Sequence, residues 1–474
     1  MNMHPVVERL IDVLGSSAVV WRSREMAAYV EDWRGRHAGK AMCVALPSST
    51  EEVSAIVKLC AREQIPILPQ GGNTSLCGGA VPSGGEPAPV VVNLARMRHV
   101  RSVDVDNHTM EVEAGCVLAD IQALAAQHGL LYPISLGSEG SCQIGGNIST
   151  NAGGTGVLRY GNTRENILGL EVVLADGTIW DGLRGLRKDN TGLDLKHLFI
   201  AAEGTMGIVT AAILKLHPLP RAYAFAWVAV RSPHDALQLL TQCRAAFGPR
   251  LTAFEMMNAA QLNLVLEHVP GRRNPLAGNH NWHVLVELAD DQEGAEGSQD
   301  MQRLLEKAYA QGLLLDAAIA VSEAHRHEMW QVRHSVSEAN KKAGVGLTSD
   351  TAVPVSRVPD FIDKATAAVR EIVPEIGVVV VAHLGDGNVH FIPFFSFKQW
   401  ASLDAPEATA ESIRRAVNDA AYALDGTFSA EHGVGQVYVS QRARYKLPVE
   451  LAMMRAVKQA FDPHDLLNPG RLLP

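Results

Sequence analysis

The stretch His383-Leu384-Gly385-Asp386-Gly387-Asn388-Val389-His390 holds two histidines on either side of a Gly-Asp-Gly-Asn turn. Val378 to Val381 ahead of it reads as a buried strand, and Val389, Phe391 and Ile392 as the returning one. Neutral imidazole is a favoured ligand for zinc-like ions, so two histidines held by a turn off a sheet suit a metal. Two ligands leave the set incomplete. The candidate third is Glu431, in Ser429-Ala430-Glu431-His432-Gly433-Val434-Gly435, where His432 adjoins it. The same spacing is met by two hydrogen-bonded histidines that stabilise a loop. Arg333 is the other residue suited to chemistry, in Trp330-Gln331-Val332-Arg333-His334-Ser335-Val336-Ser337. The segment reads as helix, which places Ser337 one turn on and on the same side. A guanidinium forks onto a carboxylate such as an organic acid supplies. On an exposed helix it is otherwise a solvated charge.

The elements that would carry a cofactor lie in the first half. Val6 to Leu14 reads as a helix, and Ser49 with Glu52 three residues later forms a capping-box signal. Val53, Ile56, Val57 and Cys60 repeat at helical spacing to about Glu63, and Ile65 to Leu68 is a short apolar strand. That strand delivers the chain into Pro69-Gln70-Gly71-Gly72-Asn73-Thr74-Ser75-Leu76-Cys77-Gly78-Gly79. Consecutive glycines permit positive φ and let backbone N–H groups converge on an anion. The pattern is neither GxxxxGK[ST] nor GxGxxG, so neither a P-loop nor a nicotinamide fingerprint is present. Taken alone, the loop is also compatible with a surface turn. A second cluster runs from Leu136-Gly137-Ser138-Glu139-Gly140-Ser141-Cys142 into Ile144-Gly145-Gly146-Asn147-Ile148-Ser149-Thr150-Asn151-Ala152-Gly153-Gly154. So many small residues suit backbone packed directly against a large planar ligand. Glu171 to Trp180 reads as a hairpin turning at Asp176-Gly177, and Leu198 to Val209 adds one more small-residue turn.

Past Pro218-Leu219-Pro220 the texture changes. Tyr223 to Val230 and Trp282 to Leu288 read as strands. Pro233 to Phe247, Met301 to Gln311, Phe361 to Ile372 and most of Ala401 to Ala423 read as helices. The alternation predicts an α+β layer with an antiparallel sheet. At 474 residues the chain can bury two or three cores, and 47% apolar with 20% charged residues is ordinary globular composition. The net charge of -9 excludes nucleic acid as the expected partner. No apolar run approaches a membrane span, and Met1 to Trp21 shows no secretory pattern. Six cysteines without CxxC spacing read as scattered, mostly buried thiols of a reducing, cytoplasmic compartment.

The motifs PILPQGGNTSLCGG, LGSEGSCQIGGNISTNAGG, LGLEVVLADGT and LRKDNTGLDLKHLFIAAEGTMGIVT, in that order, resemble the FAD-binding domain of the vanillyl-alcohol-oxidase flavoprotein superfamily. Within it the chain most resembles D-2-hydroxyglutarate dehydrogenases. The resemblance implies a two-part FAD-binding domain (1–220), an α+β substrate domain (221–428) and a C-terminal segment (429–474) returning to the flavin. It implies that Gly71, Gly72, Asn73, Thr74 and Ser75 hold the FAD diphosphate, with Pro69 and Asn468 beside the cofactor. Pro133, Gly137, Gly140, Ser141, Gly145, Gly146, Asn147, Asn151 and Gly153 would line FAD. Glu203, Gly204 and Ile208 would lie near its adenine side. Some members attach flavin through a histidine of the first glycine loop; Gly71 to Ser75 contains none, so FAD is expected to be non-covalent.

HLGDGNVH and SAEHGVG resemble the metal motifs of the same family, which implies His383, His390 and Glu431 as ligands of a divalent ion, Zn2+ by that resemblance, and His432 as catalytic base. Arg333 and Ser337 match an arginine and a threonine that bind substrate. Two positions depart from the pattern. Thr348 stands where dicarboxylate-specific members carry a lysine, and Ile392 where they carry an asparagine; Thr348 to Arg357 is similar to the matching segment of FAD-dependent D-lactate dehydrogenases. The implied reaction is oxidation of a D-2-hydroxy acid (D-2-hydroxyglutarate, D-lactate or similar) to the 2-oxo acid, with hydride transfer to flavin N5. Expected partners are the small hydroxy acid, an acceptor such as an electron-transfer flavoprotein or a quinone, and a second copy in a homodimer. The residues alone also allow a metal-dependent hydrolase or a catalytically silent FAD-binding protein.

Overall fold

Val90-Val91-Val92 is apolar at every position and buried at every position, as expected of a strand covered on both faces of a parallel sheet. A computed structural model, describing residues 3–85, 87–292 and 296–473, shows it paired in parallel with Cys43–Ala45 on one side and Ile67–Gln70 on the other. The chain packs as two compact units, one of Met1–Gly154, Gly161–Leu219 and Glu431–Pro474, the other of Thr155–Tyr160 and Pro220–Ala430. No helix among the described residues is long and apolar enough to cross a membrane.

The first unit contains two larger sheets and a two-stranded pair, Leu130–Leu131 with His217–Pro218. One is four-stranded, in the order Val19–Val20, Cys43–Ala45, Val90–Asn93, Ile67–Gln70; the other is a five-stranded antiparallel sheet centred on Ile208–Lys215. Helix Thr50–Glu63 starts where the sequence predicts, with the Ser49 hydroxyl accepting from the Glu52 N–H. The return bond differs: the Glu52 carboxylate accepts from Ser48 N, one residue upstream of the expected cap. The strand expected at Ile65 to Leu68 runs instead from Ile67 to Gln70. Pro66 has no N–H to give a ladder, so pairing begins at Ile67, whose N–H donates to the Leu466 carbonyl. Asn468 N in turn donates to Ile67 O, so the C-terminal segment forms the edge of this sheet. Helix Pro448–Phe461 of the same segment packs edge-on through Phe461 against Phe199, 5.3 Å between ring centres. The hairpin at Asp176-Gly177 forms as expected, with Gly177 at φ 81°.

The second unit is built on one antiparallel sheet in the order Asp316–Ile319, Ala222–Val230, Trp282–Asp290, Leu251–Asn258, Gly377–His383, Asn388–Ser396, Gly344–Gly346, with Thr351–Ala352 also on Asn388–Ser396. Strand residues alternate between two cores. Phe254, Met256, Val380, Ala382, Val389 and Phe391 face helices Pro233–Phe247, Val358–Ile372 and Pro406–Tyr422. Ala253, Met257 and Val381 face the other side, where Met329, Trp330 and Val336 pack. The helix expected over most of Ala401 to Ala423 runs from Pro406 to Tyr422, starting where Pro406 takes the first-turn position in which its missing N–H costs nothing; a short helix, Phe397–Ala401, precedes it. All six cysteines are buried thiols, and burial pushes Cys43, Cys60 and Cys243 up to about 12, which leaves them unreactive.

Candidate active site

The histidine turn is a hairpin. Gly377–His383 and Asn388–Ser396 pair with His383 opposite Asn388 and Val381 opposite His390. Side chains two apart on paired strands share a face, so both imidazoles project to the side of Val381. Their ring centres are 5.5 Å apart, nearly perpendicular. The turn needs its glycines: Gly387 sits at φ 87°, where a Cβ would lie 2.2 Å from the Val353 carbonyl oxygen. The Asp386 carboxylate accepts from Asn388 N and closes it.

Glu255, which sequence reasoning missed, organises this face. It lies directly opposite His383 in the ladder and is 1% exposed. One oxygen meets His383 Nδ1 at 2.7 Å; the other meets Arg333 through Nε at 2.9 Å and Nη2 at 2.8 Å. Burial alone would raise this carboxyl, but its contacts with His383 and Arg333 outweigh it and hold Glu255 below the usual range. The signal was a lone acid inside the apolar strand Leu251–Asn258. Asp350 was missed as well. Its carboxylate accepts from Asn388 Nδ2 and from Ala430 N, at 3.2 and 3.0 Å, which ties the hairpin to the Ser429-Ala430 segment. Asp350 and His390 offer ligand atoms within 4.8 Å of each other.

Helix Glu323–His334 carries Arg333 in its last turn, and after Ser335 a second helix, Val336–Ala343, carries Ser337, which is exposed. Thr348 is half-buried between Leu347 and Ser349, whose N–H groups donate to Pro393 O and Phe391 O. Leu347 faces the helix-covered core, so by alternation Thr348 faces the side of His390 and Ile392, the latter 3% exposed.

In the first unit the two glycine clusters meet. A Cβ on Gly72 would lie 2.1 Å from Ser141 O, and one on Gly145 would lie 2.7 Å from the Ala114 Cβ. Gly71 lies against Gln143 and Gly146 N, whereas Gly137, Gly140 and Gly146 border open space. Asn73 takes the left-handed conformation (φ 53°) with its amide donating to Glu31 O. Ser75 Oγ accepts from Gly79 N. Asn73 Oδ1, Gln143 Oε1, Asn147 Oδ1 and the Tyr132 hydroxyl are buried without a hydrogen-bond partner among the described residues. Buried polar atoms are seldom left so in native proteins. Clustered along bared glycine backbone, they fit a ligand with many N–H and O–H donors and a diphosphate, as FAD has. Pro133 and Gly153 are buried, and Thr74 continues the first loop.

Four residues expected at the cofactor have scaffold duties. Asn151 caps helix Ile144–Thr150 at φ 51° and accepts from Arg164 N. Asn468 Nδ2 donates to Glu203 O and Gly79 O. Gly204 lies at φ 71° against Pro69, and Ile208 opens a core strand. The two oxygens of Glu203 accept from Val434 N at 2.7 Å and Gly435 N at 2.8 Å. Burial pushes its carboxyl up against the pull of those N–H groups. Glu203 thus pins the turn that begins at Glu431 and His432. In that turn Glu431 Oε2 accepts from Gly154 N, and Glu431 Oε1 lies 3.6 Å from His432 Nε2.

Residues 41–182 match the FAD binding domain model and residues 219–472 the FAD linked oxidases, C-terminal domain. The mitochondrial D-2-hydroxyglutarate dehydrogenase of Arabidopsis thaliana is 34% identical over 98% of this chain and 80% of its own length. That of Xanthomonas citri is 34% identical over 94% and 92%. A protein of Schizosaccharomyces pombe with a provisional D-lactate dehydrogenase name is 32% identical over 94% and 84%. Among solved structures, p-cresol methylhydroxylase superposes with a TM-score of 0.75 over 98% of this chain and 96% of that one at 16% identity, which speaks for the fold alone. The chain belongs to the family of FAD-linked oxidoreductases that includes the D-2-hydroxyglutarate dehydrogenases.

Proposed function

We propose that the protein oxidises a D-2-hydroxy acid to the 2-oxo acid with non-covalent FAD and a divalent metal, Zn2+ by the resemblance. The observation that carries this reading is the set of side chains on one face of the hairpin, with His390 beside a His383 held by Glu255, and Arg333 on that same carboxylate. When bound, FAD accepts a hydride at N5, and a divalent cation lowers the pKa of the substrate hydroxyl. His383, His390 and Glu431 would hold the cation. His432, adjoining Glu431, accepts the hydroxyl proton. Arg333 and Ser337 receive the substrate's far end. Thr348 and Ile392 supply no charge there, which favours a monocarboxylate such as D-lactate over D-2-hydroxyglutarate. Electrons leave to an electron-transfer flavoprotein or a quinone. We place the protein in the cytoplasm, on the buried thiols, and expect a homodimer; cell fractionation and sedimentation test both.

The purified protein should be yellow and should bleach on anaerobic mixing with one of D-lactate, D-malate and D-2-hydroxyglutarate, the first most rapidly. A colourless protein that cannot be reconstituted with FAD sinks the reading. A yellow protein that none of them bleaches is a silent flavoprotein. Chelator should abolish bleaching, and full activity in chelator removes the metal.

A further inference from the structure

We infer that Glu255 is a positioning residue that sets the ring tautomer of His383 and the orientation of Arg333 together. The inference rests on the proposed roles of those two residues and adds the group that couples them. A carboxylate in the middle of Leu251–Asn258, flanked by Phe254 and Met256 at 1% and 0% exposure, is costly unless every lone pair is engaged. Here each oxygen has its own partner, His383 Nδ1 on one and the Nε–Nη2 edge of Arg333 on the other. An ionised carboxylate only accepts hydrogen bonds, so the His383 proton must sit on Nδ1 and Nε2 becomes the ligating nitrogen. The carboxylate–histidine–metal arrangement is the usual means of fixing a ligand ring. The register supports it, because Glu255 and His383 are direct cross-strand partners, so the ladder itself brings the two side chains together on one face. On the other oxygen, engaging one edge of the Arg333 guanidinium fixes its plane and directs its remaining N–H groups. One buried side chain thereby joins the metal-holding and carboxylate-holding residues.

The isosteric variant Glu255→Gln tests this, since it keeps shape while replacing one acceptor oxygen with an N–H2 donor. If the amide oxygen stays on Arg333, the donor faces His383 and drives the ring to the opposite tautomer. Two measurements are paired. Long-range 1H–15N spectra of the metal-free protein, with His383 assigned by loss of its signals in His383→Asn, should show the Nδ1–H form in the wild type and the Nε2–H form in Glu255→Gln. Competition with a chromophoric chelator should show Zn2+ held roughly 10–100-fold more weakly by the variant. A wild type in the Nε2–H or imidazolium form overturns the inference, even if the variant fails to fold. So does a folded variant, judged by its flavin spectrum, with unchanged tautomer and Zn2+ affinity. A wild type that binds no Zn2+ while showing the Nδ1–H form overturns the metal reading instead and leaves the positioning role supported.

Discussion

Replacing Glu203 by glutamine should loosen the turn that carries Glu431 and His432 without altering the shape of its anchor. Each Glu203 oxygen accepts one backbone N–H, from Val434 at 2.7 Å and Gly435 at 2.8 Å, at a site only 9% exposed. Gly433 at φ 84° and Gly435 at φ 51° let the backbone come this close; a Cβ on Gly433 would lie 2.9 Å from Glu203 Oε1. In the variant one oxygen remains an acceptor, and an N–H2 group faces the other N–H. One charge-assisted bond is lost, about 1.5–3 kcal/mol. At a factor of ten per 1.4 kcal/mol, the stripped amide should exchange its hydrogen roughly 10–150 times faster. Hydrogen–deuterium exchange by mass spectrometry over 431–438 reads this directly. Substrate-driven flavin bleaching should slow as well, because the residues assigned to metal and proton share the turn. Unchanged protection across that peptide would refute the reasoning, and so would faster exchange spread evenly over the whole first unit, which would mean general destabilisation.

Gly72→Ala should abolish FAD loading, since a Cβ there meets Ser141 O at 2.1 Å and forces the two glycine loops apart; the absorbance ratio of flavin to protein checks it. Thr348→Lys with Ile392→Asn should raise the ratio of kcat/KM for D-2-hydroxyglutarate over D-lactate by roughly 10–150-fold, the worth of one charge-assisted bond. An unchanged ratio would show that these positions do not face the substrate. His283 is held by burial at about 4, with its Nδ1 accepting from the Trp227 indole. Its pKa is lowered on folding, so its neutral form stabilises the fold fully above about 6.5. That stability is lost as pH falls toward 4, at about 1.4 kcal/mol per pH unit and roughly 3 kcal/mol in all. Urea unfolding from pH 7 to 4.5 should show this slope, and His283→Gln should flatten it.

The local elements were legible because their signals are local. Ser49 as a cap, Pro233 to Phe247 as a helix, the Asp176-Gly177 turn and the two strands around His383 and His390 all follow from periodicity and turn chemistry. The glycine clusters marked where backbone must pack closely, and their order marked the family. What local patterns could not give is which distant residues share a buried charge. Glu255 is 128 residues from His383 and 78 from Arg333, and only strand register and helix packing bring the three together. Asp350 reaches Ala430 across 80 residues, and Glu203 reaches Val434 across 231. A motif shows which side chains can do chemistry. The burial of a carboxylate, and the partners that neutralise it, are set by tertiary packing, since desolvation and short-range hydrogen bonds depend on neighbours in space. So the sequence by itself named His383, His390, Glu431 and Arg333, while the fold alone decided what holds them in place.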